Sequence, residues 1–105
     1  MIRKRHRVPS DELFKDKRLF KTPYFSIRHA PNGLGINRFR VIVGKSVAMS
    51  AVRRHNIKRR CAHALLKLPN LGVDAVLTAL PSLPQLPRHE TEQYIEEAFR
   101  NISRQ

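Results

Sequence analysis

Acidic residues are missing from the middle of this chain. Between Lys17 and Val73 there is no Asp and no Glu, while the same stretch carries thirteen Lys or Arg. Charge of one sign over most of a small domain is destabilising through self-repulsion, and a bound polyanion relieves it. The absence also excludes chemistry. Neither a paired-carboxylate mechanism nor a metal cage of Asp and Glu can be assembled from this region. Cysteine is almost absent. Cys61 alone excludes an internal disulfide and fits a reducing cytoplasm. No run of about 18 apolar residues exists, so no membrane span is expected. The basic start, Met1 to Arg7, is followed by Pro9, Ser10, Asp11 and Glu12 rather than by an apolar core, which argues against a secretory or transit signal. Internal repeats and low-complexity tracts are missing as well.

What remains is 105 residues with 41% hydrophobic content, enough for one domain with a small core. The formal charge of +13 points first to nucleic acid and second to an anionic membrane surface. Residues 1–8 read as a flexible basic arm and 9–105 as a single domain that binds nucleic acid.

Hydrophobic spacing predicts the order αββαβα. Ser10 can cap a short first helix reaching Lys17, which offers Leu13 and Phe14 to the core. Residues 22–30 alternate as a strand, with Phe25 and Ile27 on one face and Tyr24, Ser26 and Arg28 on the other. After the turn signal Pro31-Asn32-Gly33 a second strand is expected at 37–45, with Phe39, Val41 and Val43 opposite Arg38, Arg40 and Ile42. These two strands are expected to pair as a hairpin with a longish loop. Ser50 caps a helix over Ala51 to Leu68, with Ile57, Cys61, Ala64, Leu65 and Leu68 as its apolar stripe. The apolar run from Val73 to Leu80 predicts a central strand buried on both faces. Pro81, Pro84 and Pro87 mark a loop before a last helix from His89 to Ser103. The pattern implies a mixed α/β sheet with a helical crossover.

Arg53-Arg54-His55-Asn56-Ile57-Lys58-Arg59-Arg60 is the densest basic cluster. At about 100° per residue, His55, Asn56, Arg59, Arg60, His63 and Lys67 share the face opposite the apolar stripe, while Arg54 and Lys58 flank that stripe. A solvated helix face ordinarily interleaves Glu with Lys for support at i,i+4. This one has no acid, so phosphate contact is the expected use. The strand face with Tyr24, Ser26, Arg28, Arg38 and Arg40 reads equally well as a polar solvent face or as a surface that stacks unpaired bases.

The run Val43-Gly44-Lys45-Ser46-Val47-Ala48, followed by Ala51-Val52-Arg53-Arg54-His55-Asn56-Ile57-Lys58-Arg59-Arg60, resembles the signature of the bacterial ribonuclease P protein subunit. The likeness extends to the Leu13-Phe14 helix, Tyr24 to Ile27, Pro31-Asn32-Gly33, Asp74 to Leu77 and the last amphipathic helix. It implies a two-layer α+β sandwich with a left-handed βαβ crossover, a hand that the usual right-handed rule would not suggest. It implies a partner, the catalytic RNA of ribonuclease P, bound through the basic helix, and a second ligand, precursor tRNA, whose 5′ leader lies in a cleft between the first helix and the sheet. Hydrolysis would be the work of the RNA, with Mg²⁺ held by the RNA and none by the protein alone. By position the resemblance matches Arg54, Lys58 and Arg59 to the family's basic residues; together with the rest of the basic run, the expected RNA-binding set is Lys45, Arg53, Arg54, His55, Asn56, Lys58, Arg59, Arg60, His63 and Lys67. Phe14, Tyr24, Ser26, Arg28 and Arg40 fall to the leader cleft. Four positions depart from the family pattern. His55 replaces a usual Asn, Ala62 a basic residue, Ser10 an aromatic and Arg28 a Tyr.

Other signals carry less. His55 and His63 have no Cys or carboxylate beside them, so no protein metal site is expected. Cys61 in the apolar stripe reads as a small core residue, and at i,i+2 it does not face His63. No catalytic side chain is expected. The alternatives are a ribosomal or other structural RNA-binding protein, and a protein ribonuclease using His55 or His63 as acid and base. Oligomeric state is not legible.

Overall fold

A computed structural model describes residues 18–103. In chain order these form β1 (Arg18–Lys21), β2 (Phe25–Pro31), β3 (Arg38–Ile42), α1 (Ala51–Leu66), β4 (Val73–Ala79) and α2 (Arg88–Ser103), with a single 3₁₀ turn at Leu83–Gln85. The basic arm and the expected first helix, with Leu13 and Phe14, lie outside the described residues.

The strands make one sheet in the order β1-β2-β4-β3. This corrects the expected hairpin. β2 and β3 do not pair, because β4 lies between them, antiparallel to β2 and parallel to β3. A parallel neighbour needs a long crossover, and α1 supplies it. β4 can take the central place because it is apolar on both faces. Leu77 enters the main core, and Val76 is 1% exposed on the opposite face beside Ala30 and Ile42. The hairpin partner of β2 is instead β1, an element the hydrophobic pattern did not reveal. The turn between them is built by Thr22, whose hydroxyl accepts from the amides of Tyr24 and Phe25 at 3.2 and 3.1 Å.

Both helices cover one face of the sheet. Phe25, Ile27, Phe39, Val41 and Leu77 meet Ile57, Cys61 and Leu65 of α1 and Ile95, Phe99 and Ile102 of α2. Phe39 and Phe99 meet edge to face at 5.7 Å. Ser50 caps α1, its side chain accepting from the Arg53 amide at 3.4 Å. Ala62 is fully buried, which explains the departure there: no long basic side chain fits.

Two buried polar residues fix the crossover. Asn37 donates to the Pro69 carbonyl at 2.9 Å and accepts from the Leu71 amide at 2.7 Å, so it holds the chain leaving α1. Asp74 accepts from Arg38 Nε at 2.8 Å and Nη2 at 2.6 Å, and from Asn32 Nδ2 at 2.9 Å. The only acid among the described residues outside α2 is thus engaged internally.

Candidate nucleic-acid interface

Helix α1 presents its cations as the spacing implies except at Arg60, which the spacing sets on the open face and the Leu86 carbonyl draws to the edge of the stripe. Arg53, His55, Asn56, Arg59, His63 and Lys67 are exposed, and Arg54, Lys58 and Arg60 are half-buried along the edges of the apolar stripe. Lys45 is exposed in the turn after β3, where the Val47 amide donates to the Gly44 carbonyl at 3.1 Å. These side chains are not equivalent. Arg54 Nη1 donates to the carbonyls of Ala48 and Met49 at 3.0 and 2.7 Å, which ties α1 to the turn before it. Arg60 Nη1 reaches the Leu86 carbonyl at 3.3 Å. Lys67 Nζ lies 3.6 Å from Glu92 of α2 and is partly compensated. Among the described residues, the side chains of Arg53, Lys58 and Arg59 make no hydrogen bond or ion pair, so their charge is available to a partner.

Asn56, Arg59, Arg60 and His63 line a recess of about 380 Å³ together with Arg88, the first residue of α2. No carboxylate is among these residues. Sequence reading did not single out Arg88. The signal was there: a cation in the first turn of a helix works against the helix dipole. A residue that is locally unfavourable invites a role outside its own helix.

The second cluster lies on the sheet face away from both helices. Arg28 and Arg40 are both in register with Val76, one on each side of it, and Ser26 and Ile42 are in register with Thr78. β1 adds Leu19 beside Arg28 and Lys21 beside Ser26. The structure therefore brings Ser26, Arg28 and Arg40 together, with Arg28 and Arg40 about 10 Å apart across the central strand. Arg38 shares this face but is bound to Asp74. Tyr24 does not join the row. The Thr22 turn delays strand alternation until Phe25, and the Tyr24 ring meets Tyr94 of α2 at 5.0 Å. Phe14 lies outside the described residues.

Two further titratable groups, Cys61 and His29, lie in the interior. Cys61 is fully buried, and burial pushes its thiol up to about 12. His29, on the core face of β2, is held below its ordinary value by burial and then by the nearby Arg18 charge. Among the described residues no three His, Cys, Asp or Glu side chains converge as metal ligands, and no helix is long and apolar enough to cross a membrane.

Comparison with known proteins bears on the fold and the lineage. The family model described as Ribonuclease P matches residues 3–103. The ribonuclease P protein component of Chromobacterium violaceum is 32% identical over 110 residues, covering 98% of this chain and 90% of that protein. The one from Synechococcus elongatus is 31% identical over 103 residues, covering 91% and 81%. Among solved structures, the RNase P protein of Staphylococcus aureus superposes with a TM-score of 0.79 at 18% identity, covering 92% and 94% of the two chains. The Thermotoga maritima RNase P protein gives 0.70 at 20% identity, covering 91% and 93%. The structures establish the shared fold, and the family match together with two relatives above 30% identity establishes the lineage: this chain belongs to the ribonuclease P protein family.

Proposed function

We propose that the chain binds the catalytic RNA of ribonuclease P through α1 and the 5′ leader of precursor tRNA through the sheet face, supporting endonucleolytic removal of the leader. RNA binding and tRNA processing are the general business of the family to which it belongs. The observation that carries the reading is the acid-free recess where Asn56, Arg59, Arg60 and His63 of α1 meet Arg88 of α2. Guanidinium groups suit phosphate because their planar N–H fork matches its oxygens. Cations converging from two helices suit a folded backbone, where phosphates from different segments come close together. The cytoplasm is the compartment this reading implies.

The protein's part is to neutralise and position, and the RNA performs the hydrolysis. Mg²⁺ supplies the nucleophile-activating and charge-stabilising chemistry when bound. The donor set here does not fit a protein-held Mg²⁺, which takes hard oxygen ligands. Asp74 is taken by Arg38 and Asn32, and the basic face has no carboxylate. In this reading the RNA holds the metal. On the sheet face Arg28 stands where the family usually has Tyr, so it would meet a leader phosphate rather than stack a base.

The test is reconstitution of the full chain with a bacterial ribonuclease P RNA, with mature tRNA 5′ ends assayed at low Mg²⁺. Added protein should restore cleavage that the RNA alone performs poorly, and Arg59→Ala should weaken that rescue. No stimulation would refute the reading. Recovery of ribosomal RNA in place of ribonuclease P RNA from cell extract would favour a structural RNA binder. Cleavage by the protein without RNA would favour a protein ribonuclease.

A further inference from the structure

A second recess, of about 470 Å³, opens at the end of α2 remote from Arg88. Its walls are the apolar side chains of Pro31, Leu71, Val73 and Ile102, with Arg18, His29 and Ser103 as polar members, the Ser103 hydroxyl being spent on the Arg100 carbonyl. Along α2, Ile102 lies about 21 Å beyond Arg88, so this is a separate place from the basic recess. His29 is 4% exposed, and its Nε2, shielded from water by the side chains around it, has no hydrogen-bond partner among the described residues. Buried polar atoms in folded proteins are nearly always paired, so an orphaned ring nitrogen needs a reason. The combination of apolar walls, one buried polar atom and one cation has the composition of a small-ligand pocket, and its size falls in the usual range of ~300 to ~1,000 Å³.

We infer that this recess takes one unpaired RNA nucleotide, its base between Pro31, Leu71, Val73 and Ile102, its phosphate on Arg18, and its base edge hydrogen-bonded to His29 Nε2 after a small turn of the ring that uncovers this atom. Unpaired bases are read in this way, by a slot for the ring and a hydrogen bond to its edge. The Arg18 side chain makes no bond among the described residues and is exposed at the start of β1. Burial and Arg18 keep His29 neutral, so it offers a base edge a single donor or acceptor rather than a charge. The choice of a nucleotide as ligand rests on the RNA-binding reading of α1; the location of the recess does not.

The experiment is an NMR titration of the full chain with uridine 5′-monophosphate, a short oligouridine and inorganic phosphate. The two nucleotide probes should move the His29 ring signals and the methyl signals of Leu71, Val73 and Ile102 in a saturable way. His29→Phe keeps a ring of similar size and removes the nitrogen. It should weaken both nucleotides about tenfold, the effect of losing one hydrogen bond. Should that variant fail to fold, Arg18→Ala at an exposed position tests the phosphate contact, with the same direction of change. Phosphate alone reproducing the shifts would overturn the inference, since only an anion at Arg18 would then be present. So would His29 signals that no nucleotide moves. A response to the mononucleotide alone would overturn the RNA assignment. Arg59→Ala separates the two readings. It should lower affinity for ribonuclease P RNA and leave the recess signals responding normally, and a recess response that vanishes with it would overturn the placement.

Discussion

Arg59 and Lys67 share the exposed face of α1, yet they should behave differently in a salt titration. The Arg59 guanidinium has no partner among the described residues and lines the basic recess. The Lys67 ammonium already sits 3.6 Å from Glu92. A phosphate neutralised by a free cation releases about 0.9 of a counterion from duplex RNA treated like B-form DNA. Arg59→Ala should therefore flatten the slope of log K against log salt by about 0.9. Between ~50 and ~200 mM salt the affinity gap to wild type should narrow about 3.5-fold. Lys67 must leave Glu92 to reach a phosphate, and the freed carboxylate then repels the RNA. Lys67→Ala should change the slope by less than about half as much. Arg88→Ala should follow Arg59→Ala if the two cations act in one recess. The assay is equilibrium binding of the full chain to ribonuclease P RNA at several KCl concentrations and one fixed Mg²⁺ concentration. A wild-type slope in Arg59→Ala, or equal flattening in the Arg59 and Lys67 variants, would refute the reasoning.

If the sheet face takes the leader as proposed, Arg28→Ala should weaken the reconstituted complex for precursor tRNA and spare mature tRNA, since only the precursor carries a leader; equal losses would reduce Arg28 to general electrostatics. Arg38→Ala leaves Asp74 buried with Asn32 as its remaining side-chain donor, so urea denaturation should show a loss of about 3 kcal/mol, and a loss under about 1 kcal/mol would mean that the pair does not hold the crossover. His29 has a folded-state pKa below its ordinary 6.5, so as pH falls the unfolded chain takes up this proton first. The stability it contributes is present above 6.5 and is lost as pH drops toward the folded-state value; in urea melts at pH ~7.5 and ~5, His29→Gln should shrink the acid-side loss, and an unchanged pH dependence would contradict the burial argument.

The helices were legible because their signals are local. Ser50 before an apolar stripe, and Pro69 after it, bound α1 within a few residues. The alternation of Phe25 with Ile27, and of Phe39 with Val41, separated core from open face. β4 was readable as a two-sided strand because Val73 to Leu80 carries one acid among apolar neighbours. Strand order was not legible, since pairing depends on partners far apart in sequence. Arg38 and Asp74 are 36 positions apart, and nothing near either one announces the pair. β1 escaped because Arg18-Leu19-Phe20-Lys21 is too short for period-two alternation to stand out. The site divides along the same line. The cations of α1 announce themselves by density, whereas Arg88 and His29 gain meaning only from what the fold sets beside them.

The place of β4 also governs how the chain can fold. β2 and β3 precede it, yet β2 has only β1 beside it and β3 has no neighbour in the sheet until residues 73–79 arrive between them. A chain cut before Val73 would hold the β1-β2 hairpin, a lone β3 and the whole basic helix, with strand edges open to pairing with other chains. The central strand is thus also the closing one, and its two ladders must form over long sequence separations, which slows folding. During synthesis α1 emerges before β4, so its cations are exposed while the sheet beneath them is still incomplete.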